Sequence, residues 1–153
     1  MKKLTAILIG LFASVAMTFG QDNVIKTTNS DANGVDSVDT NVSYNSSFNM
    51  NDEIKLEDLG DGVKRKVLSY SKNIMLVEVY FEKDAIGKPH KHIHEQINYV
   101  KKGSFKVTID GVTKIVKEND AMYIAPNVIH SCVALEEGVL LNVFTPRREE
   151  FLK

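Results

Sequence analysis

All four histidines of the chain lie in two short segments, and their spacing is typical of metal ligands. His90, His92 and His94 alternate within residues 89–96, and His130 ends a second segment at residues 126–130. Side chains two residues apart in an extended chain point to the same face. His90 and His92 can therefore approach one ion at the roughly 2.0–2.2 Å that nitrogen and oxygen ligands adopt. This pattern predicts a metal site.

Gln96 has the same parity as these histidines, but it cannot join them along a straight strand. Four residues at roughly 3.3 Å each would carry it about 13 Å away, so we expect the chain to bend between Ile93 and Glu95. Gln96 would then come from a neighbouring strand and His130 from a third. The expected set is three neutral imidazoles and one amide oxygen around a divalent transition metal (Ni, Zn, Fe or Mn), with positions open for water or substrate. His94 lies in the bend, where it would contact substrate or support a ligand.

Composition limits the class of protein. The 153 residues fit one domain, and 43% hydrophobic with 25% charged residues is ordinary for a globular protein. The balance of 19 basic and 20 acidic residues provides no basic field, which argues against a nucleic-acid partner. Cys132 is the only cysteine, so no intrachain disulfide can form. We interpret it as a small buried hydrophobe, with a position facing the barrel interior as the alternative.

The N-terminus is predicted to be a targeting segment. Residues 1–20 combine Lys2 and Lys3 with an apolar stretch at 4–15 that is too short to span a bilayer well. Cleavage before Gln21 would release a secreted or periplasmic bacterial protein with no further membrane association; an uncleaved anchor is the alternative. Residues 21–52 are rich in Asn, Asp, Ser and Thr and are predicted to form a flexible leader, in which 42–48 could pair at a sheet edge or a dimer interface.

Residues 53–153 are predicted to form the folded domain, which is all-β. Short β-type runs at 63–70, 73–82, 96–100, 104–109, 113–117, 121–125, 129–135 and 139–144 are separated by turn residues. Asp110-Gly111 is a strong two-residue hairpin signal, and residues 147–152 could form a last helical turn. Glu78 and Tyr80 lie on a run that could face the interior. Many short strands indicate a β-sandwich or small barrel.

Two segments resemble the paired motifs of the cupins. Residues 90–103 contain His-x-His-x-x-x-Gln followed by Gly, and residues 119–130 end in Pro-Asn-Val-Ile-His. The resemblance covers roughly residues 60–150 and implies a jelly-roll β-sandwich or barrel that holds a metal, in a family whose members commonly dimerise. Asn119 and Asn127 stand where the family usually has Gly. Because Asn is the next residue best able to adopt left-handed angles, we expect the turns to survive.

A narrower resemblance involves residues 90–96 and 140–149, which are similar to the cupins of the pectin degradation KdgF family. That family linearises 4,5-unsaturated monouronates released by pectate or alginate lyases, which implies a small sugar acid as the partner. Its metal ligands map onto His90, His92, Gln96 and His130. Its catalytic Asp, Phe and Arg map onto Asn142, Phe144 and Arg148.

The resemblance implies a role for each pocket residue. Arg148 would hold the sugar carboxylate in a bidentate pair, although Arg147 beside it could turn inward instead. Phe144 would supply an apolar wall and Asn142 a hydrogen bond, but an amide cannot act as a general base. Three hypotheses follow: a ring-opening enzyme for unsaturated uronates, a cupin Fe(II) oxygenase, and a non-catalytic sugar-binding cupin.

Overall fold

Ten β-strands in two antiparallel sheets make up almost all of the regular structure in the computed structural model, which describes residues 45–153. The six-stranded sheet has the order β1-β2-β3-β10-β5-β8, and the four-stranded sheet has the order β4-β9-β6-β7. The strands are β1 Glu57–Gly60, β2 Val63–Tyr70, β3 Met75–Phe81, β4 Ile86–His90, β5 Glu95–Lys102, β6 Ser104–Ile109, β7 Val112–Lys117, β8 Ala121–Ile124, β9 His130–Ala134 and β10 Gly138–Thr145. A short 3₁₀ helix at Glu149–Phe151 follows.

The two sheets share one apolar core. Phe81, Val100 and Leu140 of the larger sheet pack in the same buried cluster as Phe105 and Ala134 of the smaller one. Inward positions alternate with outward ones along β5 and β10, as the period of two in a half-buried strand requires. The predicted all-β sandwich is confirmed, and the predicted last turn is the 3₁₀ helix.

The predicted turns rely on residues with positive φ. Asp110 and Gly111 have φ of 50° and 77°, as the predicted hairpin between β6 and β7 needs. Asn119 and Asn127 have φ of 74° and 62°. Both Asn residues thus adopt the left-handed conformation that was expected of them, at positions where the cupin motifs usually have Gly.

The chain changes sheets between His90 and Glu95. β4 ends at His90 in the smaller sheet, bends occur at Ile93 and His94, and β5 begins at Glu95 in the larger sheet. The predicted bend is confirmed. His92 differs from the prediction, because it lies in this connection and not on the strand of His90; the strand must end before the chain can cross to the other sheet.

Glu78 and Tyr80 do not face the interior. Val77, Val79 and Phe81 take the inward positions of β3, so Glu78 and Tyr80 lie on the outer face of the sheet. Glu78 is nevertheless 1% exposed. It accepts hydrogen bonds from the Tyr80 hydroxyl, the Lys101 ammonium and the side chain of Asn51, which together cover it from solvent.

The predicted signal peptide and residues 21–44 of the predicted leader lie outside the described residues. At the start of the described part, Asn45 contacts β2 through its side chain: Oδ1 accepts from the Tyr70 amide at 3.0 Å, and Nδ2 donates to the Leu68 carbonyl at 3.4 Å. Residues 45–48 of the predicted edge segment form no strand. Within residues 45–153, no helix is long and apolar enough to cross a membrane.

Candidate metal centre and binding cavity

Three histidines converge at one end of the sandwich. His90 and His130 are cross-strand partners on β4 and β9, with ring centroids 4.2 Å apart. His92 approaches from the connection, at 5.1 Å from the His130 ring and 5.7 Å from the His90 ring. One ring nitrogen from each of the three lies within 4.8 Å of those of the other two. The predicted convergence of these side chains is therefore present.

Main-chain carbonyls orient all three rings. The Nδ1 atoms of His90, His92 and His130 donate to the carbonyl oxygens of Lys88, His94 and Val128, at 2.8, 3.1 and 2.9 Å. Protonation of Nδ1 leaves the lone pair on Nε2, the atom that binds a metal when the other nitrogen is held in this way. Among the described residues, the buried Nε2 of His130 has no hydrogen-bond partner. That unpartnered atom fits a metal ligand.

Burial favours the neutral imidazoles that a metal requires. It lowers the pKa of His130 to about 4, against a smaller opposing effect of the Val128 carbonyl. Burial also lowers the pKa of His92; a hydrogen bond that Gln96 Oε1 would accept from the protonated ring opposes this, and nearby Arg148 adds to the lowering. Both rings are thus uncharged at neutral pH and need lose no proton to bind a cation.

Gln96 completes the set from β5. Its Oε1 lies 2.9 Å from the Nε2 of His92. With Nδ1 of His92 protonated, both atoms carry lone pairs, and two ligand atoms about 2.1 Å from one ion and at right angles lie roughly 3 Å apart. The Gln96 Nε2 donates to Oδ1 of Asn98, which keeps Oε1 directed toward the histidines. Sequence reasoning missed Asn98, although it shares the inward parity of Gln96.

His94 is not a member of the converging set. Its ring is 7% exposed and lies against Phe144, with centroids 6.4 Å apart. Its carbonyl accepts the Nδ1 hydrogen bond of His92. This position agrees with the predicted supporting role for His94 and not with ligation.

A cavity of about 390 Å³ adjoins the histidines, and all three predicted pocket residues line it together with His90, Gln96 and His130. Phe144 is 2% exposed, and its ring lies edge-on to His92 with centroids 5.7 Å apart. Asn142 is buried, and within residues 45–153 its Oδ1 has no hydrogen-bond partner. That oxygen is available to a ligand.

Arg148, and not its neighbour Arg147, lines the cavity. Its guanidinium lies 5.2 Å from the centre of the Phe144 ring. Arg147 instead pairs with Glu149 at 2.7 Å. Arg65 of β2 also lines the cavity and was missed by sequence reasoning, because Lys64 and Lys66 on either side obscure the alternation.

Cys132 also lines the cavity, and it packs against the core cluster. Its Sγ occupies the space beside Gly87, where an added Cβ would lie 2.7 Å from it. Burial raises the pKa of the thiol to about 11, so it is protonated and unreactive at neutral pH. The core contact agrees with the interpretation of Cys132 as a small hydrophobe, and the cavity position agrees with the alternative that it faces the barrel interior.

A two-layer β-sandwich with a His-x-His connection, a following Gln and a distant His defines a cupin. Residues 77–144 match the model of the cupin domain. The chain is 50% identical over 105 residues to the pectin degradation protein KdgF of Dickeya dadantii, an alignment that covers 67% of this chain and 96% of that protein. It belongs to the KdgF family of cupins.

Solved structures agree with this assignment. KdgF from Halomonas sp. superposes with a TM-score of 0.67 at 34% identity, covering 69% of this chain and 98% of that one. An RmlC-like cupin from Shewanella frigidimarina superposes with a TM-score of 0.69 at 36% identity, covering 71% and 97%.

Proposed function

We propose that this cupin converts 4,5-unsaturated monouronates to their linear keto form in a metal-dependent reaction. The observation that carries the proposal is that two members of the histidine cluster, His90 and His130, line a single cavity. The pocket residues Asn142, Phe144 and Arg148 line the same cavity. Its volume of about 390 Å³ lies at the lower end of the range for small-molecule sites. Membership in a family that includes a pectin degradation protein supports a sugar-acid substrate.

His90, His92, His130 and Gln96 would hold the metal. Three imidazoles and one amide oxygen suit a divalent transition metal of the Ni, Zn, Fe or Mn group. Such an ion supplies a Lewis acid that polarises substrate oxygens or water.

Arg148 binds the substrate carboxylate in this proposal. Its Nε and Nη2 both lie 2.8 Å from one oxygen of Glu150, which leaves Nη1 for a ligand. The Arg148 side chain is only 14% exposed, so a charge-assisted hydrogen bond formed there competes little with water. Arg148 therefore anchors one end of the sugar.

Phe144 and Asn142 position the remainder of the sugar ring. Phe144 presents an apolar wall that excludes water from one side of the cavity. The unpartnered Oδ1 of Asn142 accepts a hydrogen bond from a sugar hydroxyl or from water. An amide neither takes up nor releases a proton at neutral pH, so Asn142 orients its partner and does not act as the base.

The proposed reaction protonates the enol-ether carbon, adds water at the neighbouring ring carbon and opens the resulting hemiketal to the keto form. Consumption of the conjugated double bond removes the ultraviolet absorbance of the substrate. We expect the purified protein to remove this absorbance faster than buffer, a chelator to abolish the effect and added metal to restore it. His130→Ala should abolish it as well, whereas Ile115→Ala, at an edge-strand residue that is 70% exposed, should not. Activity that survives complete metal removal would contradict the proposal.

A non-catalytic sugar-acid-binding cupin is the second candidate, favoured by Asn142 at the position where the family resemblance places Asp. The two candidates differ in the behaviour of Asn142→Asp. If the natural chain binds unsaturated uronate without consuming it and Asn142→Asp consumes it, the natural protein is a binding module. Metal-dependent oxygen uptake with small acids would instead indicate the Fe(II) oxygenase.

A further inference from the structure

The charged residues that line the cavity are mostly cationic. Arg65, Lys88 and Arg148 line it, against the single carboxylate of Asp61. That carboxylate is paired with Lys88 at 2.8 Å. The two arginines are the remaining charged side chains of the described cavity wall, and their carboxylate partners, Glu57 and Glu150, do not line it.

Arg65 is an inward-facing cation on a strand whose other inward residues are apolar. It pairs in register with Val79, which also lines the cavity, while Val63 and Val67 occupy the neighbouring inward positions. The Arg65 side chain is 11% exposed. A charge on the inner face of a β-sandwich is unfavourable unless a partner or a ligand compensates for it.

Arg65 and Arg148 lie against the same aromatic ring. The guanidinium carbon of Arg65 is 3.7 Å from the centre of Phe151, and that of Arg148 is 4.3 Å from it. Each arginine is paired on its Nε and Nη2 side with an exposed carboxylate: Glu57 lies 2.6 Å from Arg65, and Glu150 lies 2.8 Å from Arg148. Two positive charges thus contact one ring, and among the described residues Nη1 of both has no hydrogen-bond partner. An anion that accepts a hydrogen bond from each Nη1 would add to the pairs that Glu57 and Glu150 already form.

We propose that Arg65 is a second substrate-binding residue which, together with Arg148, makes the cavity selective for ligands that carry a carboxylate. The proposal deepens the proposed function and rests on it for the identity of the ligand as a sugar acid. The carboxylate accepts hydrogen bonds from both guanidinium groups, while the uncharged part of the sugar faces Phe144 and the metal centre. Stacking on Phe151 keeps the Arg65 fork in place before the ligand arrives.

The test compares D-galacturonate with D-galactose, two saturated sugars that differ in the carboxylate. Their affinities for the metal-loaded protein are measured by titration calorimetry in the wild type and in Arg65→Met, which keeps the length of the side chain and removes its charge. We expect the wild type to prefer galacturonate. We expect Arg65→Met to bind galacturonate roughly tenfold to hundredfold more weakly, as the loss of a charge-assisted hydrogen bond implies, and to bind galactose as before.

Two matched variants separate ligand binding from a structural role. Lys64→Met removes the same charge from the adjacent residue, which faces outward beside Tyr80, and should keep the preference. Glu57→Gln removes the ion-pair partner of Arg65 without touching the cavity wall and should keep or strengthen it. If Glu57→Gln loses the preference as fully as Arg65→Met does, the ion pair is structural and the proposal is overturned.

The remaining outcomes are equally decisive. An unchanged ratio of affinities in Arg65→Met, or a wild type that does not distinguish the two sugars, overturns the role of Arg65. A wild type that shows an Arg65-dependent preference but does not consume unsaturated uronate refutes the proposed reaction and leaves the role of Arg65 intact. Thermal unfolding of each variant, measured alongside, identifies any loss of binding that comes from loss of the fold.

Discussion

Asn98 offers the sharpest test of how the metal centre is held. Asn98→Leu removes the oxygen that accepts the Gln96 Nε2 hydrogen bond. Gln96 and Asn98 are 5% and 6% exposed, so the Gln96 amide would lose its partner in a largely buried position. An unsatisfied buried group costs about 1–3 kcal/mol. For a domain of this size each kcal/mol lowers the melting temperature by roughly 4–8 °C. We expect the metal-free variant to melt correspondingly earlier.

The same substitution should also weaken metal binding. Without its partner, the Gln96 amide is free to rotate away from the orientation that directs Oε1 at His92. Loss of a residue that orients a metal ligand typically costs 10- to 100-fold in affinity, on the order of 1.4–2.8 kcal/mol. The measurement is competition for the metal against a chromophoric chelator. Asn98→Asp keeps an acceptor oxygen and should bind the metal within about threefold of the wild type.

A double-mutant cycle then identifies the route of the effect. If Asn98 acts through Gln96, Asn98→Leu should cost little further metal affinity in a Gln96→Leu background. An Asn98→Leu protein that melts earlier but binds metal within about twofold of the wild type would refute the reasoning, since it would leave Asn98 with a purely structural role.

Three further predictions concern other features of the chain. Burial holds the pKa of His130 near 4 in the metal-free fold but not in the unfolded chain, so the unfolded state binds more protons between about pH 6.5 and 4. The stability of the metal-free protein should therefore fall as the pH drops through that window, by up to about 3 kcal/mol. Denaturant midpoints that stay flat from pH 7 to 4 would contradict this. Gly87→Ala places a methyl group 2.7 Å from the Cys132 sulfur and should lower the free energy of unfolding by about 1–3 kcal/mol. In a double-mutant cycle, Cys132→Ala should largely relieve this loss. Equal losses in both backgrounds would place the strain elsewhere. Expression in a bacterial host should yield a periplasmic protein whose intact mass corresponds to a chain beginning at Gln21, whereas retention of Met1 in the membrane fraction would indicate an uncleaved anchor.

The strands that could be predicted are those whose residues alternate or are bounded by clear turn residues. The β6–β7 hairpin was predictable because Asp110-Gly111 permits only a narrow set of turns. β1 was not predicted, and of β4 only the extended segment that carries His90 was predicted. All four residues of β1 are exposed, and β4 contains Gly87 and Pro89 with little alternation in burial, so neither carries the hydrophobic pattern on which such predictions rest.

The site was predictable to the extent that its residues are rare or closely spaced. The positions of His90, His92 and His130 followed from spacing, because histidines at such intervals seldom arise by chance. Arg65 was missed because the lysines on either side of it obscure the alternation, and Asn98 was missed although it shares the inward parity of Gln96. The pairing of Arg65 with Val79, and of Asn98 with Asn142, shows that both face inward, and strand register is a property of the whole sheet.

The carbonyl groups that hold the three imidazoles belong to the main chain, which has a consequence for how this protein can diversify. Main-chain groups survive almost any side-chain replacement, so the orientation of the three imidazoles does not depend on the side chains at positions 65, 142 and 148. If the proposed function holds, replacements at these positions, including Asn where the family resemblance places Asp, would change ligand contacts without turning the imidazoles.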